Sequence, residues 1–330
     1  MLEEGDGRPA EQARDLGHGR ASSGHSTGLR IFAIRLARFF SSAYVRCVGQ
    51  AGSDAVLKPK LLRARQLLGK YRIQKRIANG PLAAVYQAFD TILCRRVALK
   101  IPHAGLDPAI LEDFRKEARL AVRLEHPNIL PVFNASFIDN RFVIVTPLGL
   151  QTLADRLERR MATQTGLRLV SQALSAVAFA HSKRVVHCDI KPENFILFPE
   201  NRMRLGDFAF AKRCIRTIKA SGSGTLGYIA PEQAMGRPML QSDVFSLGLV
   251  LYRVFAGTLP EWPYSWPPPG LNRLEARLPE EMIAIIRRAL KVKPTQRFRD
   301  AIAMEKAFVD ATERLNAKTP GRRLTARRKQ

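Results

Sequence analysis

The character of this chain changes once, near Gly149, and that change limits its fold more than any other feature. From Tyr71 onward, "YRIQKRI" (71–77), "AVYQAFD" (84–90), "RRVALKI" (95–101) and "RFVIVTP" (141–147) read as strands. One helical stretch, near 109–123, is inserted among them. Past Gly149 helices dominate, notably 164–182, 242–256 and 280–290. A small strand-rich unit followed by a larger helical one predicts an α+β chain of two lobes with a cleft between them. The chain has no internal repeat, and "WPYSWPPPG" (262–270) reads as a rigid surface insertion.

Around this body the composition is basic, with a formal net charge of +25 over 330 residues. Residues 1–69 carry +5 and residues 311–330 carry +6, so +14 falls on the predicted folded body, 70–310. Such a surface favours polyanions or acidic partners. No zinc finger, RNP sequence or helix-turn-helix pattern accompanies it, so sequence-specific nucleic-acid recognition is not expected. Cys47, Cys94, Cys188 and Cys214 are far apart and form no CxxC pair, which disfavours a disulfide framework or structural zinc. A reducing, cytoplasmic setting is the expectation. No apolar run approaches the ~20 residues that span a bilayer.

Residues 1–28, rich in Gly, Ser, Arg and Ala, read as disordered. Next comes "LRIFAIRLARFFSSAYVRCVG" (29–49), with Arg30, Arg35, Arg38 and Arg46 among bulky apolar residues. A basic amphipathic helix on a membrane surface would have this composition. At 100° per residue, however, its apolar side chains spread nearly all round the axis. A weakly structured extension is therefore favoured over membrane contact. Acidic residues ahead of it and the lack of a small-residue cleavage site argue against a signal peptide.

The chemistry concentrates in "VVHCDIKPENFIL" (185–197), where Asp189, Lys191 and Asn194 are clamped between apolar ends. Phosphoryl transfer from ATP needs metal ligands, positive charge near the phosphates and a carboxylate beside the attacking hydroxyl. Asp189 can orient the hydroxyl, Lys191 can offset charge on the moving phosphate, and Asn194 can hold a metal. "GDFA" (206–209) adds Asp207 as a carboxylate ligand for Mg²⁺. "VALK" ends a strand with Lys100, placed for the α- and β-phosphates, and "FRKEARL" presents Glu117 to pair with it.

With these motifs, the chain resembles the eukaryotic-type (Hanks-type) serine/threonine protein kinase family. The resemblance runs from about Tyr71 to about Arg299, in the family's order. It includes "HPNI" (126–129), "HCDIKPEN", "DFA", "GTLGYIAPE" (224–232), "SDVFSLG" (242–248) and Arg297. It implies a two-lobed protein kinase fold, with an N-lobe at 70–148 and a C-lobe at 149–310. ATP and Mg²⁺, with Mn²⁺ as an alternative, would occupy the cleft.

The resemblance also implies an ion pair between Glu232 and Arg297, an Asp243 anchor for the catalytic loop, and His187 stacked on Phe208. Ala78, Gly80, Val85, Ala98 and Ile196 match nucleotide-binding positions. Val145 matches the gatekeeper, and Thr146 to Leu148 the hinge. "DIKPEN" and Thr225 resemble the Ser/Thr branch, so protein Ser or Thr is the expected acceptor. The compact arrangement resembles bacterial members.

Three departures bear on activity. "ANGPLAAV" (78–85) keeps only Gly80 of the family's three loop glycines, which predicts a weaker grip on phosphate. Cys188 replaces an arginine that, in this family, meets an activation-segment phosphate. A small buried side chain is favoured there over a redox role. Ala209 replaces the Gly after Phe208. The rival expectation is a pseudokinase, a nucleotide-binding or scaffolding module. Against it, Lys100, Glu117, Asp189, Lys191, Asn194 and Asp207 are all present. Lys212, Arg213, Arg216 and Lys219 predict acidic protein substrates.

Overall fold

The computed structural model describes residues 61–208, 226–260 and 266–318. Its first part is an antiparallel sheet of β1 (Leu67–Leu68), β2 (Tyr71–Asn79), β3 (Ala83–Asp90), β4 (Arg95–Pro102), β5 (Asn134–Ile138) and β6 (Arg141–Pro147). The spatial order is β1-β2-β3-β4-β6-β5. Strict alternation along β3 buries Ala84, Tyr86, Ala88 and Asp90 on one face. Apart from Asp90, these pack with Val97, Leu99, Val143 and Val145 into an apolar cluster on the face turned from the cleft.

Helix α1 (Pro108–Arg123) crosses the other face. Asp107 starts it, accepting from the Ala109 N–H at 2.7 Å, with Pro108 in the first turn. Phe114, Glu117, Ala118 and Ala121 form its buried stripe. Phe114 and Ala118 pack on Phe142 and Ile144. Glu117 is thus carried inward by an apolar face.

The second part holds a three-stranded sheet of β7 (Gln151–Thr152), β8 (Phe195–Phe198) and β9 (Arg202–Leu205). Its helices are α2 (Leu153–Leu157), α3 (Thr163–Ser182), α4 (Pro231–Ala234), α5 (Leu240–Ala256), α6 (Leu271–Glu275), α7 (Glu280–Ala289) and α8 (Ala301–Lys318). Helices α3 and α5 are buried nearly all round, and one continuous core encloses them. Helix α5 ends where Gly257 adopts φ +75°, a left-handed cap that glycine takes without a Cβ penalty.

Both expected boundaries of the folded body move outward. Residues 61–69, ahead of the expected folded body 70–310, contribute β1 and bury Leu62 and Leu68 in the N-lobe cluster. The Leu62 N–H also donates to the Tyr86 hydroxyl at 3.2 Å. At the other end, α8 runs eight residues past 310, with Ala311 and Thr312 buried. Strand β5 was also unforeseen, because "NASFI" is a half-exposed edge strand without a clear alternation. The segment 29–49, the rest of 1–60, and the tail 319–330 lie outside the described residues. Among the described residues no helix is long and apolar enough to cross a membrane.

Candidate active site

Strand register decides which N-lobe side chains reach the cleft. Val85 pairs with Lys100 and Gln87 with Ala98, so Val85, Ala98 and Lys100 share the cleft face. The Lys100 Nζ donates to Glu117 Oε1 at 2.6 Å and to Asp207 Oδ1 at 2.5 Å. Burial opposes the charge on Lys100, but the Asp207 and Glu117 carboxylates outweigh it and hold the ammonium above the ordinary lysine range. Burial also opposes the charge on Asp207, and the adjacent Lys100 overrides it, keeping the carboxyl below the usual range. Strand, helix and the Asp207 loop are therefore joined at one ammonium.

The catalytic loop is held differently, by its backbone. Asp243, on α5, accepts from the His187 N–H at 2.7 Å and the Cys188 N–H at 2.8 Å. It also accepts from His181 Nε2 at 3.0 Å, while His181 Nδ1 accepts from the Ala301 N–H at 2.9 Å. That partner assigns the imidazole proton to Nε2. His187 works alike: its Nδ1 accepts from the Asp189 N–H, and its Nε2 donates to the Gly206 carbonyl at 2.9 Å. One ring thus ties the peptide before Asp189 to the peptide before Asp207. Its contact with Phe208 is edge-on, with the rings inclined at 64°, rather than the expected stack.

Asp189 itself is surrounded by donors. Lys191 Nζ lies 2.9 Å from Asp189 Oδ2, and Asn194 Nδ2 donates to the same oxygen at 2.9 Å and to the Asp189 carbonyl at 2.7 Å. With Nδ2 engaged there, Oδ1 is the Asn194 atom that can turn to a metal. Asp207, which lines the cleft, supplies a second oxygen ligand. One carboxylate and one amide oxygen, completed by phosphate oxygens and water, is a donor set that fits Mg²⁺. Farther down, Arg297 is fully enclosed and grips Glu232 through two nitrogens at 2.8 and 2.9 Å.

These groups open on a cleft of about 840 Å³, an ordinary size for a small-molecule site. Ala78, Val85, Ala98, Lys100, Thr146, Leu148 and Ile196 line it, as do Glu117, Lys191, Asn194 and Asp207. Asp189 adjoins them through Lys191 and Asn194. Gly149 belongs to this wall because a Cβ there would lie 2.2 Å from the Ile196 side chain. The hinge backbone rests directly on the floor of the site.

Two expected nucleotide contacts are corrected. Val145 pairs with Leu99, and that register turns it into the N-lobe cluster; Ile144 and Thr146, opposite Lys100 and Ala98, face the cleft instead. Gly80 does not line the cleft either. Its N–H donates to the Ala83 carbonyl at 3.0 Å, and its carbonyl meets His103 Nε2 at 2.9 Å. Sequence reasoning also passed over His181 and Gln233. The signals were a histidine on an otherwise apolar helix face and a polar residue directly after "APE". Ala209, Lys212, Arg213, Arg216, Lys219 and Thr225 lie outside the described residues.

The family described as "Protein kinase domain" matches residues 71–329. The chain belongs to the protein kinase domain family. This kinase domain is 31% identical over 280 residues to the serine/threonine-protein kinase PrkC of Bacillus subtilis, covering 78% of the chain and 43% of the relative. It is 30% identical to PksC of Streptomyces coelicolor, covering 72% and 48%. With PknA of Mycobacterium tuberculosis it shares 32% identity, covering 79% and 67%. The chain thus spans less than half the length of the first two relatives. The crystal structure of the Mycobacterium tuberculosis PknI kinase domain overlays with a TM-score of 0.59 at 24% identity, covering 76% of this chain and all of that one. That overlay establishes the kinase fold.

Proposed function

We propose that this chain transfers the γ-phosphoryl group of ATP to Ser or Thr hydroxyls of protein substrates. The observation that carries the reading is one cleft shared by two charge centres: Lys100 joined to Glu117 and Asp207, and Asp189 joined to Lys191 and Asn194. In the proposed reaction Lys100 holds the non-transferred phosphates, with Glu117 fixing its position. Asp189 accepts a hydrogen bond from the acceptor hydroxyl and orients its oxygen in line with the phosphorus. Lys191 lies beside both and offsets negative charge on the group in transit. Asn194 and Asp207 would hold Mg²⁺, or Mn²⁺, which supplies charge neutralisation between the phosphates.

The test is purified protein with labelled ATP, Mg²⁺ or Mn²⁺, and a generic protein acceptor, followed by phosphoamino-acid analysis. Label on Ser or Thr, dependent on metal, is expected. A protein that binds nucleotide and partners without transferring phosphate would overturn the reading in favour of a pseudokinase.

The reading extends to acidic stretches around the acceptor, supported by Lys212, Arg213, Arg216 and Lys219 between Asp207 and Glu232. A peptide array at two salt concentrations tests it. Preference for Asp and Glu, weakening with salt and lost in Arg213→Glu/Arg216→Glu, is expected. Preference for basic peptides would sink it and point instead to Thr325, in "RRLT" (322–325), as a self-phosphorylation site. The lack of paired cysteine spacing supports a cytoplasmic site of action, which cell fractionation would test.

A further inference from the structure

The peptide bond that immediately precedes Asp189 is gripped at both ends. Its N–H, on Asp189, donates to His187 Nδ1 at 3.2 Å. Its carbonyl, on Cys188, accepts from Gln233 Nε2 at 2.6 Å. Cys188 sits at φ +64°, a left-handed conformation that a non-glycine residue holds only when its surroundings enforce it. The Cys188 N–H is fixed by Asp243, so Gln233 supplies the restraint on the opposite side of the same residue.

Gln233 has a firm base from which to act. It is 2% exposed and stands next to Glu232, which is gripped by Arg297 and accepts from Ser242 Oγ at 2.6 Å. The side chain of Cys188 is short and buried, so at this point the loop is held through its main chain.

We propose that Gln233 is a positioning residue for Asp189, fixing the plane of the Cys188–Asp189 peptide and so the direction in which the carboxylate is presented to the acceptor hydroxyl. The inference rests on the kinase reading above and deepens it. Without the amide donor, the left-handed turn at Cys188 relaxes and Asp189 swings with the peptide. Lys100, Glu117 and the cleft residues Val85 and Ala98 lie on the N-lobe, away from this peptide. The expected signature is therefore a fall in kcat without a change in nucleotide affinity.

Two near-isosteric variants test this in the full chain. Gln233→Met keeps length and loses the donor; its kcat should fall roughly 10- to 100-fold, the scale of a displacement near 1 Å at a reacting group. Its KM for ATP and its nucleotide Kd should match wild type. Gln233→Glu donates to the Cys188 carbonyl only when protonated. Its kcat should approach wild type at low pH and fall as pH rises, adding a descending limb that wild type lacks.

Wild-type kcat in Gln233→Met would overturn the proposal, as would a parallel loss of kcat, nucleotide binding and thermal stability. If Gln233→Met does not fold, the Gln233→Glu profile decides alone, and a profile parallel to wild type overturns it. The wild-type assay run alongside separates the two levels. No transfer by wild type overturns the kinase reading and this inference with it, whereas an active wild type with unaffected variants overturns only the role of Gln233.

Discussion

The two walls of the cleft are built on opposite principles. On the nucleotide wall, Lys100 and Glu117 of the N-lobe meet Asp207 of the C-lobe through side chains, and two small apolar clusters support the N-lobe pair. On the C-lobe wall, the loop from His187 to Asn194 is fixed through its own amides and carbonyls, over one continuous core. Side-chain ion pairs can break and re-form as a helix moves by a few ångströms. A main chain bonded at successive peptides cannot shift without losing several buried bonds together. The nucleotide wall is therefore adjustable, and the acceptor wall is set in advance.

The largest expected effect separates the walls by chemistry. Asp189→Ala and Asp207→Ala should each cut phosphoryl transfer by about 10²- to 10⁴-fold or more, measured with labelled ATP. Only Asp207→Ala should also weaken Mg·ATP binding in titration calorimetry, since it alone removes a metal ligand. Equal loss of binding in both variants would break the division of labour.

Next comes stability of the fixed wall. Arg297→Ala leaves Glu232 buried without its guanidinium and should cost about 3–5 kcal/mol in chemical denaturation. A loss within the range of a surface substitution would show that the lower C-lobe tolerates rearrangement.

For the adjustable wall, Lys100→Met should cost roughly 1–3 kcal/mol near neutral pH, because Glu117 is left buried without its ammonium partner. Asp207 is held below its ordinary value, so its share of this difference is full above the usual carboxylate range and disappears as pH falls through its folded value. Lys100, held above its ordinary value, loses its share only as pH rises past the lysine range. Melting curves of both proteins should therefore converge in acid and stay apart at neutral pH. A gap that widens in acid would contradict the ion-pair account.

The smallest effect concerns the phosphate loop. Ala78→Gly with Ala83→Gly should lower the KM for ATP a few-fold, on the order of 0.5–1 kcal/mol, by freeing the backbone to close over phosphate. An unchanged KM would show that the bonds from Gly80 to Ala83 and His103 already set the loop's shape.

Much of this arrangement was legible in the sequence because its chemistry is local or ordered. Asp189, Lys191 and Asn194 fall within six residues, and Lys100 and Asp207 follow in a recognisable series. Failures arose where the answer lay in pairing between distant strands. Val145 and Thr146 are adjacent, and only the register Leu99 to Val145 tells which one faces the cleft. Strand β1 was illegible for a related reason: two residues with a single buried leucine carry no periodicity until β2 pairs with them. Gln233 stood out only as a polar residue after "APE"; its role stayed hidden because its partner is a main-chain carbonyl, which no residue type announces.

The chain of contacts from Ala301 through His181 and Asp243 to Cys188 joins the first amide of the last helix to the residue before Asp189. Local opening of the catalytic loop would strand Asp243 and His181 inside the core, so the loop has no inexpensive route to fraying. Amide exchange at His187 and Cys188 should then keep pace with that of α5 and the start of α8, far slower than exchange across β5. The segment that does the chemistry would be among the last parts of the molecule to let water in, so heating should leave the active loop intact until the whole lower lobe gives way.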